Sequence, residues 1–172
     1  MSSEHIGILL GVVEDNRDPQ GEGRVRVRLT TFTGNLVTDF IPIIVPMAGK
    51  GRGFRTSPEK GDECVVVFDR GDPDNGYVVG FLHNGVDETP SEANNKRVIV
   101  SVNGHRIEML DTVEGPGTMP GNKGRLLLAD GHGNQIELTN GHMRITAVGQ
   151  LDIAAATVTI QGRPVVPGSG PM

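Results

Sequence analysis

Between residues 125 and 162 apolar and polar positions alternate in short runs that turns interrupt. Ile136 and Leu138 alternate with Glu137 and Thr139, and Met143 and Ile145 alternate with His142 and Arg144. The Asn140-Gly141 pair between them suits a tight type I′ turn, whose two central positions need positive φ. Gly149-Gln150 breaks the pattern again, before Leu151, Ile153 and Ala155, then Val158 and Ile160 among Thr157, Thr159 and Gln161. A period of two places each apolar set on one face of its strand. None of these side chains is aromatic, and a sheet this narrow cannot bury its own inner face. The pattern predicts a stretch that packs against copies of itself.

Upstream, residues 6–13 form an apolar run that ends in a polar turn over 14–19. Residues 23–30 alternate strictly, with Val25, Val27 and Leu29 on one face and Arg24, Arg26 and Arg28 on the other. Residues 40–47 are apolar but carry Pro42 and Pro46, which cannot donate to a ladder, so they belong at an edge or a strand end. A glycine-rich loop over 50–60 precedes two strands expected to be buried, 61–69 and 77–83, with a polar loop between them. All five Phe and the single Tyr fall between Phe32 and Phe81, so a conventional aromatic core can form only in this half. Phe68, Tyr77 and Phe81 read as members of that core. Strands at these positions predict a small closed five-stranded barrel of the OB type.

Residues 85–96 are polar and aperiodic, and read as a linker after an OB-fold domain at 1–84. An internal repeat follows. Residues 97–112 and 125–140 share Arg, three apolar residues, a Gly/His turn and Ile-Glu-apolar, 28 to 29 positions apart. The Gly/Pro-rich stretch between them should loop out. A β-structured rod is therefore expected over 97–163, ending in a blunt segment at 164–172 where Pro164, Pro167 and Pro171 stop regular pairing.

Such strands supply little apolar area against an ordering cost of roughly 1–2 kcal/mol per residue. Three chains wound about one axis resolve this, with Ile136, Leu138, Met143, Ile145, Leu151, Ile153, Val158 and Ile160 stacked inward in layers. The fold class expected is all-β, an OB-fold barrel followed by a trimeric, intertwined, triple-stranded β-helix. Closure also removes free strand edges. A monomeric β-sandwich fits the same turn spacing.

Composition narrows the function. The formal net charge of −5 argues against a nucleic-acid backbone as the main partner. No apolar run reaches eighteen residues, so no membrane helix is expected, and the start lacks the pattern of a signal peptide. Lone Cys64, within CVVVF, reads as a core thiol. No G-x-S-x-G elbow is present, and no pair of carboxylates stands at a convincing spacing for hydrolysis. Asp72-Pro73-Asp74-Asn75-Gly76 fails the calcium-loop register and reads as a turn. The Arg70-Gly71-Asp72 tripeptide is most simply coincidence. His142 falls out of phase with Met143 and Ile145, so it should face solvent, while His105 and His132 belong to the repeated turn. No metal, cofactor or catalytic residue is expected. Arg24, Arg26 and Arg28 are either a solvated strand face or a contact for an acidic protein partner.

The stretches GVVEDNRDPQGEGRVRVRL and IPIIVPMAGKGRGFRTSPEKGDECVVVFDRGDPDNGYVVGFLHN resemble the OB domain of the phage baseplate assembly protein V family. That family includes the central spikes of contractile tails and the VgrG proteins of type VI secretion. GHRIEMLDT and DGHGNQIELTN, with the alternating strands after them, are similar to the β-helical spike that follows this domain in the family. The resemblance implies a homotrimer that docks under a separate hub protein, with Arg24, Arg26 and Arg28 as the possible hub contact. It implies assembly in the bacterial cytoplasm as part of a virion or tail-like particle, action at the target cell envelope, and a transient membrane contact. The histidine-ligated iron found at the apex of some members has no counterpart after His142. A separate PAAR-type tip protein is therefore expected on Val165, Val166, Pro167 and Met172. A trimeric OB module that binds an oligosaccharide or another ligand is the alternative; such modules use exposed aromatics on the barrel, whereas here the aromatics are few and Phe68, Tyr77 and Phe81 read as core.

Overall fold

A computed structural model describes residues 7–30, 36–111 and 124–165. The described residues are all β apart from one 3-10 turn at Asp69–Gly71, and the chain divides into two compact units, residues 1–89 and 90–172.

The first unit holds β1 (Ile8–Asp15), β2 (Arg26–Leu29), the short pair β3 (Ala48–Gly49) and β4 (Arg52–Gly53), β5 (Glu63–Phe68) and β6 (Gly76–Phe81). Four of these form an antiparallel sheet in the order β2-β1-β5-β6. Alternation decides what is buried: Val27 and Leu29 of β2 point inward while Arg26 and Arg28 stay half-exposed. The core gathers Leu9, Val13, Val25, Val27, Leu29, Ile41, Cys64, Val66, Phe68 and Val78. Cys64 is wholly buried, and burial pushes its thiol up to about 11, so it serves packing and not nucleophilic chemistry.

Two expectations for this unit fail. The sheet has four strands, and residues 40–47 do not run as a fifth. Isolated bridges pair Val37 with Arg28, Ile41 with Val25 and Ile43 with Val78, so this segment touches both outer strands, β2 and β6. Pro42 and Pro46 lack the N–H that continuous pairing needs. The second failure is the aromatic core. Phe68 is buried, but Tyr77 is 37% and Phe81 38% exposed. Val78 pairs with Val66 and takes the inward position, which sends neighbouring Tyr77 and Val79 outward.

The second unit is a five-stranded antiparallel meander: β7 (Lys96–Val100), β8 (Arg106–Leu110), β9 (Arg125–Ala129), β10 (Gln135–Thr139) and β11 (His142–Thr146). The sequence repeat is the hairpin repeat, β7–β8 then β9–β10, joined by pairing of β8 with β9. Both Gly/His turns lie at the same end, where the Gly131 N–H donates to His105 Nδ1 at 3.2 Å. Asn140 and Gly141 have φ of 45° and 77°, and the turn between β10 and β11 is as tight as the pair predicts.

Beyond β11 the strand reading is only partly met. Residues 151–158 form no strand, and only β12 (Thr159–Ile160) and β13 (Arg163–Pro164) pair again. A strand requires a neighbour to satisfy its N–H and C=O groups, and a single chain offers Leu151 and Ile153 none. Within the second unit the described residues hold no other sheet of comparable size, so its described strands do not form a sandwich by themselves.

The two hairpins approach closely at Gly131, where a Cβ would lie 2.1 Å from the Asn103 carbonyl oxygen. Gly131→Ala is expected to part the turns and cost about 1–3 kcal/mol, the range for forced overpacking. Gly149→Ala, at a site with open space around it, should be near neutral. Urea denaturation of both variants beside the wild type checks this, and equal midpoints would refute it.

Candidate functional site

The register across the second unit sorts its side chains into two faces. Ile99, Ile107, Leu128, Ile136 and Ile145 stand directly opposite one another in a row across all five strands. Met109, Leu126, Leu138 and Met143 form the next row on the same face, with Arg97 at its β7 end. Between 42% and 64% of each of these aliphatic side chains is exposed, apart from half-buried Ile136. A contiguous apolar patch larger than a few hundred Å² is unusual on a monomeric soluble protein and marks an interaction surface.

The opposite face is inverted in character. Leu127 is 2% and Glu108 4% exposed there, in a row with Val98, Glu137 and Arg144. Charged side chains of this face pair with one another. Arg125 Nη2 donates to Glu108 Oε1 at 2.5 Å, Arg125 Nη1 lies 3.5 Å from Glu137 Oε1, and Lys96 Nζ lies 3.6 Å from Glu108 Oε2. The hydrogen bond from Arg125 holds the Glu108 carboxyl below its ordinary value of 4.5, against the opposing effect of burial, and the Lys96 charge adds to it. The same bond raises Arg125. The Glu108 carboxylate is met by cations of its own chain, while Arg125 Nε is buried without a hydrogen-bond partner among the described residues; the aliphatic face opposite is uncovered.

Of the side chains assigned to a common axis from the sequence, Ile136, Leu138, Met143 and Ile145 share this face. Leu151, Ile153 and Ile160 are exposed but lie outside the five-stranded sheet, and Val158 is half-buried, its carbonyl accepting the Val165 N–H at 2.6 Å. Val165 is 49% exposed, while Val166, Pro167 and Met172 lie outside the described residues. Sequence reasoning missed Ile99, Ile107, Met109, Leu126 and Leu128. The continuous runs Val98-Ile99-Val100 and Leu126-Leu127-Leu128 hide the phase. The signal that could have found it is the Ile-Glu-apolar triplet of the repeat, which fixes the phase of β8 and β10.

The arginine stripe is engaged internally. Arg24 donates to both carboxylate oxygens of Asp18, at 2.9 and 3.1 Å, and to Gln20, and lies 3.2 Å from Glu22. This pairing, first of several hydrogen bonds, holds the Asp18 carboxyl well below the usual carboxylate range. Arg26 Nε donates to the Thr38 carbonyl at 3.1 Å, and Arg28 Nε lies 3.4 Å from Glu14, which Lys60 also contacts at 3.1 Å. The stripe ties loops to the sheet.

Among the described residues no three His, Cys, Asp or Glu side chains converge as metal ligands. Asp72 accepts from the Asp74 N–H and from Asn75 Nδ2, closing its own turn. No helix among the described residues is long and apolar enough to cross a membrane, which does not bear on spans made of strands.

Residues 9–83 match the family described as the type VI secretion system/phage-baseplate injector OB domain. The match runs from β1 to just past β6. No curated protein matches the chain.

Because the folded protein holds Glu108 below 4.5, its contribution to stability is complete above that value and is lost as pH falls through the folded one. Glu108→Gln should cost about 1–3 kcal/mol at neutral pH, the range for an ionic partner left buried. The variant should also lose less than the wild type on going from about pH 7 to about pH 3. Denaturant titrations at the two pH values decide the matter; parallel losses would show that the Glu108–Arg125 bond is not the acid-sensitive element.

Proposed function

With residues 9–83 belonging to the baseplate injector OB-domain family, we propose that this chain is the central spike of a contractile tail or injection-system baseplate. The spike is a rigid homotrimer that docks under a hub protein and is driven through the target envelope. The observation that carries the reading is the uncovered aliphatic face of the second unit, set against a face whose buried Glu108 is paired with Arg125 and Lys96 of the same chain. Three such faces turned to one axis bury their Ile, Leu and Met side chains against each other. Residues 151–158, which form no strand in one chain, find partners in neighbouring copies, which is the intertwined triple-stranded β-helix. Hydrogen-bonded strands closed about an axis resist bending, and stiffness is what a piercing device needs.

In this reading the role is mechanical and no side chain carries out a reaction. The end near Val165 receives a tip protein of the PAAR type. The particle is assembled in the bacterial cytoplasm as a virion or tail-like assembly and meets a membrane only on delivery.

A second reading is a trimeric OB module that holds an oligosaccharide. The outward position of Tyr77 and Phe81 favours it, because such modules stack ligands on exposed aromatics. Under that reading Tyr77→Ala abolishes glycan binding and a lesion in the second unit leaves it intact.

Mass in solution tests the spike directly. The wild type is expected to run as three chains and to resist dissociation by detergent. Ile145→Lys places a charge where three copies meet, and burying it unpaired costs far more than one contact is worth. That variant should run as a single chain while its first unit keeps its near-ultraviolet signal. A monomeric wild type would overturn the proposal.

A further inference from the structure

Arg24 and Arg28 of the arginine stripe are paired with acids and Arg26 is held by the Thr38 carbonyl. A denser group of cations without acid partners lies at the hairpin of β3 and β4. Residues 47–56 contain Lys50, Arg52 and Arg55 and no acid, in a chain whose formal net charge is −5. All three cations are exposed, and none has an ion-pair partner among the described residues. Between them Phe54 is 59% and Met47 46% exposed. The hairpin borders an open cleft of about 770 Å³ whose apolar lining includes Ile43, Val45, Met47 and Phe54, with Arg52 and Arg55 also lining it. Its backbone is set in place. The Phe54 N–H donates to the Met47 carbonyl at 3.0 Å, and a Cβ on Gly53 would lie 2.8 Å from that oxygen. An aromatic anchor flanked by arginines on a preorganised backbone is the composition of a protein-binding hot spot.

We infer that the β3–β4 hairpin with Phe54, and not the arginine stripe of β2, is the surface on which the hub protein docks, through an acidic hub segment whose apolar side chain enters the cleft. The inference rests on the spike reading, which supplies the hub. Charge complementarity selects the partner: Lys50, Arg52 and Arg55 want carboxylates, whereas Arg24 and Arg28 already have Asp18 and Glu14. A protein fits better than a nucleic-acid strand, which is held by successive aromatics along a basic groove. Here one phenylalanine stands in an apolar cleft on an acidic chain.

The test measures binding of the purified hub protein of the same particle to the full-length chain by calorimetry at low and high salt. The combined variant K50E/R52E/R55E is expected to weaken hub binding by at least about tenfold and to flatten its salt dependence. Phe54→Ala should weaken it by at least about tenfold with the salt dependence retained. Arg28→Gln should change it less than about twofold. Each variant should keep the wild-type mass in solution, since the altered side chains are exposed. If the wild type binds the hub and the hairpin variants bind it equally well, the docking surface is elsewhere and the spike reading stands. If Arg28→Gln alone loses the hub, the stripe is the contact and the inference is wrong. If the wild type does not bind the hub at all, both fall. A single-stranded oligonucleotide that binds as tightly as the hub, and is lost with the hairpin charges, would mark a nucleic-acid site and overturn the inference.

Discussion

The ion cluster of Glu108, Arg125, Lys96 and Glu137 over Leu127 is the constraint on which the second unit turns. A carboxylate that is 4% exposed is tolerable only if cations and donors meet it, and here two do. The opposite face keeps its Ile, Leu and Met side chains in solvent. An uncovered aliphatic face of this kind is the mark of an interaction surface.

The first unit solves the same problem alone. Its core is built from Val, Leu, Ile, one cysteine and one phenylalanine, with alternate residues of β1, β2 and β5 pointing inward. The segment over residues 37–43 spans from β2 to β6 by isolated bridges, since prolines deny it a full ladder. Charges that look available in sequence are consumed here too. Asp18 takes the guanidinium of Arg24 and also accepts from backbone N–H groups of its own loop. Electrostatics thus fastens loops on the sheet, while Lys50, Arg52 and Arg55 at the hairpin stay without acid partners among the described residues.

Much of this was legible beforehand because period-two alternation is a local property. The strands at 26–29 and 63–68 lie inside the runs the pattern predicts, those at 8–15 and 76–81 overlap theirs with an offset of two residues and one, and the Asn140-Gly141 turn falls where the dipeptide requires it. The repeat beginning at Arg97 announced paired hairpins. What was misplaced has a common cause. Tyr77 and Phe81 sit in runs apolar on both sides, so hydrophobicity could not say which neighbour faces in. The pairing of Val78 with Val66 decided it. The same ambiguity concealed Ile99 and Leu128. The strands expected at 151–158 are not formed, because alternation alone does not supply a neighbouring strand to pair with.

The amino-acid sequence by itself determined the all-β class, the change of character between the two halves, the turn positions and the shared phase of Ile136, Leu138, Met143 and Ile145. These follow from nearest-neighbour stereochemistry and the two-residue pleat. Only the tertiary structure decided which of the two faces of the second unit's sheet stays uncovered, that Glu108 is buried and paired, that Arg24, Arg26 and Arg28 are engaged by internal partners, and that Phe54 stands exposed among cations. Those outcomes depend on register between strands distant in sequence and on which charges come within hydrogen-bonding reach. Spacing along the chain carries neither.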